Sequence, residues 1–132
     1  MGWFMSYAFS KSVDDSFEEA IERVTARLAE EGFGVLTTID VSATLKNKLD
    51  VDFQRYTILG ACNPNYAYKA LQAEDKIGVM LPCNVIVQQK DDEKVEVSAV
   101  DPLASMQAVE NPSLGEIATE VKQKLQSVIE GL

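Results

Sequence analysis

Large apolar residues fall at every second position over residues 3–9, at Trp3, Met5, Tyr7 and Phe9, and this alternation predicts a first strand. The spacing then changes. Phe17, Ala20, Ile21, Val24 and Leu28 recur at intervals of three and four, the stripe of a helix that faces a core. Ser16 followed by Glu19 forms a capping box at its start, and Gly32 ends it. A β-rich run from Phe33 to Ile39 follows at once. Strand, helix and strand within 40 residues read as a βαβ unit, with an antiparallel arrangement left open.

Farther along, Val41, Leu45 and Leu49 mark the inner face of a short helix that Ser42 would cap. Residues 53–61 read as a strand. Asn63-Pro64 opens another helix, because Asn is a strong N-cap and Pro suits the first helical position. Its stripe is Tyr66, Ala67, Ala70 and Leu71. Residues 77–81 are apolar throughout, as a central strand would be, and Pro82 ends them. Val85-Ile86-Val87 and residues 95–100 flank Lys90-Asp91-Asp92-Glu93, which predicts a hairpin with a charged turn. After Asp101-Pro102 a short helix is expected over residues 103–109. A second capping box, Ser113 with Glu116, opens a final helix with Leu114, Ile117, Ala118, Val121, Leu125 and Val128 on one face. With no internal repeat or linker, residues 1–132 form a single domain. The expected fold is α+β: a two-layer sandwich of a mixed β-sheet with helices, containing βαβ units and a hairpin in the C-terminal half.

Composition narrows the chemistry. The 132 residues include no histidine, which removes Ser-His-Asp and Cys-His machinery and histidine metal ligands. Twelve basic and 21 acidic residues give a formal charge of -9, so a phosphate backbone would be repelled and nucleic acid is not an expected partner. No apolar run reaches the 18 residues of a membrane span. The N-terminal residues lack a basic region and a long apolar stretch, so no secretory signal is expected, and a cytoplasmic location with two free thiols follows. Met1-Gly2 with Ser6 fits the loose myristoylation pattern, but the alternation of the first strand explains the same residues.

Two clusters hold the candidate chemistry. Cys62-Asn63-Pro64-Asn65 stands where a strand passes into a helix, and unpaired N–H groups there favour a thiolate or a small anion. Pro82-Cys83-Asn84 follows the next apolar run. If the two strands are neighbours and parallel, both cysteines emerge at one sheet edge. Three readings follow. Both thiols are small core residues. Alternatively they form a redox pair or half of a soft-metal site for zinc or copper, Cys62 acting first and Cys83 second, with a dimer supplying the remaining ligands. In the third reading the two loops shape a pocket for a small anionic or polar ligand, with Asn63, Asn65 and Asn84 as donors and acceptors; capping and turn duty explains the same asparagines. Arg55 is expected in an ion pair. Tyr56, Tyr66 and Tyr68 line a pocket or belong to the core. The carboxylates Glu18, Glu19 and Glu22 lie on a solvated helix face, and those of residues 91–93 in a solvated turn.

Tyr56-Thr57-Ile58-Leu59-Gly60-Ala61-Cys62-Asn63-Pro64, Tyr68-Lys69-Ala70-Leu71, Ile77-Gly78, Leu81-Pro82-Cys83-Asn84-Val85 and Val100-Asp101-Pro102 occur in order, preceded by Gly32-Phe33-Gly34-Val35 and Ile39-Asp40-Val41. Together these blocks resemble the signature of the domain-of-unknown-function 302 family over about residues 5–130. The resemblance implies a compact α+β fold and a homodimer. It implies no reaction, cofactor or catalytic residue. It also places Cys62, Asn63, Pro64, Pro82, Cys83 and Asn84 within the family's own motif. The expectation is therefore a dimeric module for a small ligand or a partner, with its site at Cys62, Asn63, Asn65, Cys83 and Asn84. A thiol-based redox or metal protein and a structural domain with core cysteines stand as alternatives. No residue set identifies an enzyme.

Overall fold

The computed structural model describes residues 6–90 and 93–132. The expected start of the first strand, the Met1-Gly2 motif, and Asp91 and Asp92 of the charged turn lie outside the described residues. In chain order the elements are β1 (Ala8–Val13), α1 (Phe17–Glu30), β2 (Gly34–Asp40), α2 (Val41–Leu49), β3 (Tyr56–Cys62), α3 (Pro64–Ala73), β4 (Cys83–Gln89), β5 (Val95–Val100), α4 (Pro102–Ser105) and α5 (Pro112–Glu130), with a 3-10 turn over Ile77–Met80. The fold is α+β, as the pattern of the chain predicts. The strands form one sheet in the order β1-β5-β4-β3-β2.

Every ladder is antiparallel, so the sheet is not the mixed one expected from βαβ units. β1 and β2 do run in one direction, but they are the two edges of the sheet. The chain between them, α1, crosses the three strands that later pair in the middle. The second expected crossover fails because residues 77–81 are not a strand. Ile77 is buried, yet Val79 is 84% exposed. A run buried on one side only lacks the two covered faces of a central strand. Among the described residues the first strand spans Ala8–Val13: it runs past Phe9 to Val13, and Ser6 and Tyr7 lie outside it. Its partner fixes that extent, with Ala8 opposite Val100 and Val13 opposite Val95.

The core lies on the sheet face covered by α1 and α5. Val24 and Leu28 from α1, Leu125 and Val128 from α5, and Val85, Val87 and Val97 from the sheet are fully buried there. The capping box of α1 forms as expected: Ser16 Oγ accepts from Glu19 N at 3.2 Å, and Ser16 N donates to Glu19 Oε1 at 3.0 Å. Two other caps differ. Asp40, not Ser42, caps α2, accepting from Ala43 N at 3.0 Å while the Ser42 hydroxyl donates to the same carboxylate. These bonds, led by the one from Ala43 N–H, hold the Asp40 carboxyl below its ordinary range. At α5 the cap is Asn111, whose Oδ1 accepts from Ser113 N at 3.1 Å, in place of Ser113. The expected inner face of α2 is not inner: no residue of that helix is buried, and Leu49 is exposed.

Antiparallel pairing brings the start of β2, the end of β3, the start of β4 and the end of β5 to one end of the sheet. Both cysteine clusters lie at that end.

Candidate functional site

Cys62 ends β3 and Cys83 begins β4, with Ala61 directly opposite Cys83. The two thiols therefore share a sheet edge, through antiparallel neighbours and not the parallel strands that the sequence suggested. Gly60 allows the close approach here. A Cβ on it would lie 2.8 Å from Pro82 Cγ and closer still to Thr37 Oγ1.

Asn63 occupies the N-cap position of α3, yet its side chain caps nothing. Nδ2 instead donates to Glu31 O at 3.3 Å, tying the start of α3 to the end of α1. The chain leaves α1 through Gly32 at φ 88°, and a Cβ there would lie 3.0 Å from Asn63 Nδ2. A left-handed turn and a close side chain together favour glycine at this point.

Behind these residues lies a cavity of about 320 Å³. Its sheet end is formed by Phe33, Ala61, Cys62, Asn63 and Cys83. Its sides are α3, the 3-10 turn and α5, which contribute Tyr66, Ala67, Ala70, Gly78, Ile117, Ala118 and Val121. No charged residue is among the lining. Small residues on the facing helices, Ala67 and Ala70 on α3 and Ala118 on α5, leave the space open. The sequence places these residues on buried stripes. It gives no sign that the stripes, which meet where Ala70 packs near Leu114 and Ile117, leave a space beside that contact.

Of the expected site residues, Cys62, Asn63 and Cys83 line the cavity. Asn65 and Asn84 are exposed and stand outside it. Asn84 follows Cys83 in the strand and so points to the other sheet face. Tyr66 is in the lining, whereas Tyr56 and Tyr68 are not. Arg55 stacks over the Phe17 ring, 4.3 Å from its centroid, and pairs with Glu18. The hydrogen bond from Arg55 holds the Glu18 carboxyl below its ordinary range. The guanidinium is thus engaged in the expected ion pair.

Both cysteines are free thiols. Burial pushes the Cys83 thiol up to about 11, and nearby Cys62 acts in the same direction. Cys83 is therefore a neutral thiol at physiological pH and a poor nucleophile. Among the described residues no group of three or more His, Cys, Asp or Glu is placed to hold a metal ion. Iodoacetamide at pH 7.5 is expected to label half-buried Cys62 first and Cys83 only on unfolding, read by peptide mass spectrometry. The raised value also sets a pH dependence. From about pH 9, where an unfolded thiol ionises, to about 11, only the unfolded state loses this proton. Stability is then complete below pH 9 and falls by about 2–3 kcal/mol on crossing that window. Urea unfolding of Cys83→Ala across the same range is expected to show a correspondingly shallower decline.

Among the described residues no helix is long and apolar enough to cross a membrane. No curated protein matches the sequence. A solved structure, "Crystal structure of uncharacterized conserved protein DUF302 from Bacillus stearothermophilus", is similar over 94% of this chain and 96% of its own, at 30% identity and a TM-score of 0.87. The family model described as "Domain of unknown function DUF302" matches residues 9–132, so the fold, the cavity and both cysteine clusters all lie inside the match and the chain belongs to the DUF302 family.

Proposed function

We propose that the protein is a binding module for a small apolar molecule, held in the cavity between the sheet end, α3 and α5. The observation that carries this reading is the lining. About 320 Å³ of space is bounded by apolar side chains, two thiols, one carboxamide and the phenol of Tyr66, with no charged residue. That volume falls at the small end of ligand sites, and few polar groups in an apolar wall is their usual composition. An apolar cavity of about half the size is enough to take up benzene. The buried, neutral thiol of Cys83 favours this reading over a redox pair.

The same reading takes the working unit as a homodimer joined along β2. That edge strand carries no charge from Gly34 to Ile39 and exposes Leu36 and Ile39. Such an edge offers unpaired backbone groups and no charge to repel another strand. A two-fold axis across it pairs the strand with its own copy.

Naphthalene is the probe. Calorimetric titration is expected to give one site per chain with a negative heat-capacity change. Ala67→Leu, which fills the cavity from α3, is expected to weaken binding at least tenfold. Native mass spectrometry is expected to report two chains. No binding up to the solubility of naphthalene would overturn the ligand reading. A single chain would overturn the dimer and leave the cavity as it stands.

A further inference from the structure

Resting on that reading, we infer that the ligand class is an uncharged molecule of about ten to twelve non-hydrogen atoms, mostly hydrocarbon, with one hydrogen-bond donor placed at Asn63. The size follows from the cavity: about 320 Å³ is roughly twice the space that accommodates the six carbons of benzene.

Charge is excluded by what surrounds the space. The lining offers neither cation nor anion to pair an ionised head group held at the buried sheet end beside Asn63, where an unpaired charge is costly. The chain's formal charge of -9 adds a general repulsion for an anion. A cation gains nothing inside either, because the lining contains no carboxylate.

The donor is placed by Asn63. One of its two Nδ2 hydrogens goes to Glu31 O, which leaves the other hydrogen and the carboxamide oxygen of that side chain to pair. Asn63 is 91% buried, its relative exposure being 9%, and it lies at the sheet end of the cavity beside Cys62. A hydroxyl at the end of a hydrocarbon body, which both donates and accepts, pairs with both, whereas a carboxylate pairs only with the hydrogen and an ammonium only with the oxygen. Gly78 lies at the other side of the space, on the 3-10 turn. A Cβ there would meet only Leu71 Cδ2, at 4.0 Å, so a side chain can start at this exposed rim position without a clash.

The test compares three probes with one ten-carbon chain: 1-decanol, decanoate and decylammonium. Each is titrated into the whole protein at pH 7 and well below micelle formation. The alcohol is expected to bind at least tenfold more tightly than either ion, and Gly78→Leu is expected to weaken the alcohol at least tenfold while leaving the thermal midpoint unchanged or raised. If either ion binds as tightly as the alcohol, the charge inference falls and the cavity reading survives. If naphthalene binds but none of the three decyl probes does, the size and head-group inference falls alone. If naphthalene fails too, both fall. If Gly78→Leu and Ala67→Leu both keep their affinity for the alcohol, the occupied space is not this cavity, and the inference is overturned.

Discussion

Gly60→Ala is expected to lower the unfolding free energy by about 2–3 kcal/mol, the upper part of the ~1–3 kcal/mol that forcing extra atoms into a filled site costs. The position is interior to β3, opposite Asn84, and flanked by edge strand β2 on its other side. The new methyl would meet two obstacles, Thr37 Oγ1 and Pro82 Cγ. They differ in kind. Thr37 can turn its hydroxyl aside, at the cost of a poorer rotamer. The Pro82 ring has no such freedom, so β3 and the start of β4 must move apart. In a Thr37→Ala background the cost of Gly60→Ala is expected to fall by about 1 kcal/mol, the coupling energy of residues in contact. Urea denaturation of the four proteins measures it. A neutral Gly60→Ala would show that the cysteine end of the sheet is looser than its geometry.

The second large effect is in the core. Leu125→Ala is expected to cost about 3–5 kcal/mol, the range for truncating a fully buried leucine that the surroundings cannot collapse onto. Leu125 is 0% exposed and lies among Val24 and Leu28 of α1 and the valines of β4 and β5. This is a large fraction of the ~5–15 kcal/mol by which a domain of this kind is stable. Leu49→Ala is the control. Both residues recur at helical spacing, yet Leu49 is 65% exposed, so its truncation is expected to change stability by less than about 0.5 kcal/mol. Equal losses for the two would mean that α2 is covered in solution by something outside the single chain.

This contrast explains how far the fold could be read from the chain. The stripes of α1 and α5 are long and strongly periodic, and their residues are buried as the spacing says. The hairpin of β4 and β5 is equally legible, because alternation and a charged turn agree. α2 and residues 77–81 carry apolar residues that resemble core, but which side of a short element meets the rest of the molecule is decided by distant partners. Ile77 finds Ala70 and Leu114, while Val79 finds solvent. Strand direction was hidden for the same reason. Nothing local to Cys62 or Cys83 says whether their strands run together or opposed. The cluster itself was legible, since unusual residues at two strand ends pointed to one edge. Its character was not. Asparagines suggested a polar pocket, and the space behind them is apolar because alanines on α3 and α5 face each other across it.

The strand order has a consequence for synthesis. β2, β3, β4 and β5 are neighbours in the order they are made, so each can join the sheet as it emerges. β1 is made first and is placed against the strand made last, Ala8 against Val100. At about 5–20 residues per second, it waits roughly 5–20 s for its partner to be translated. During that interval the earliest strand is an unpaired edge outside the tunnel, open to the same segment of a neighbouring nascent chain. Of the five strands, the one most exposed to misassembly on a crowded polysome is therefore β1.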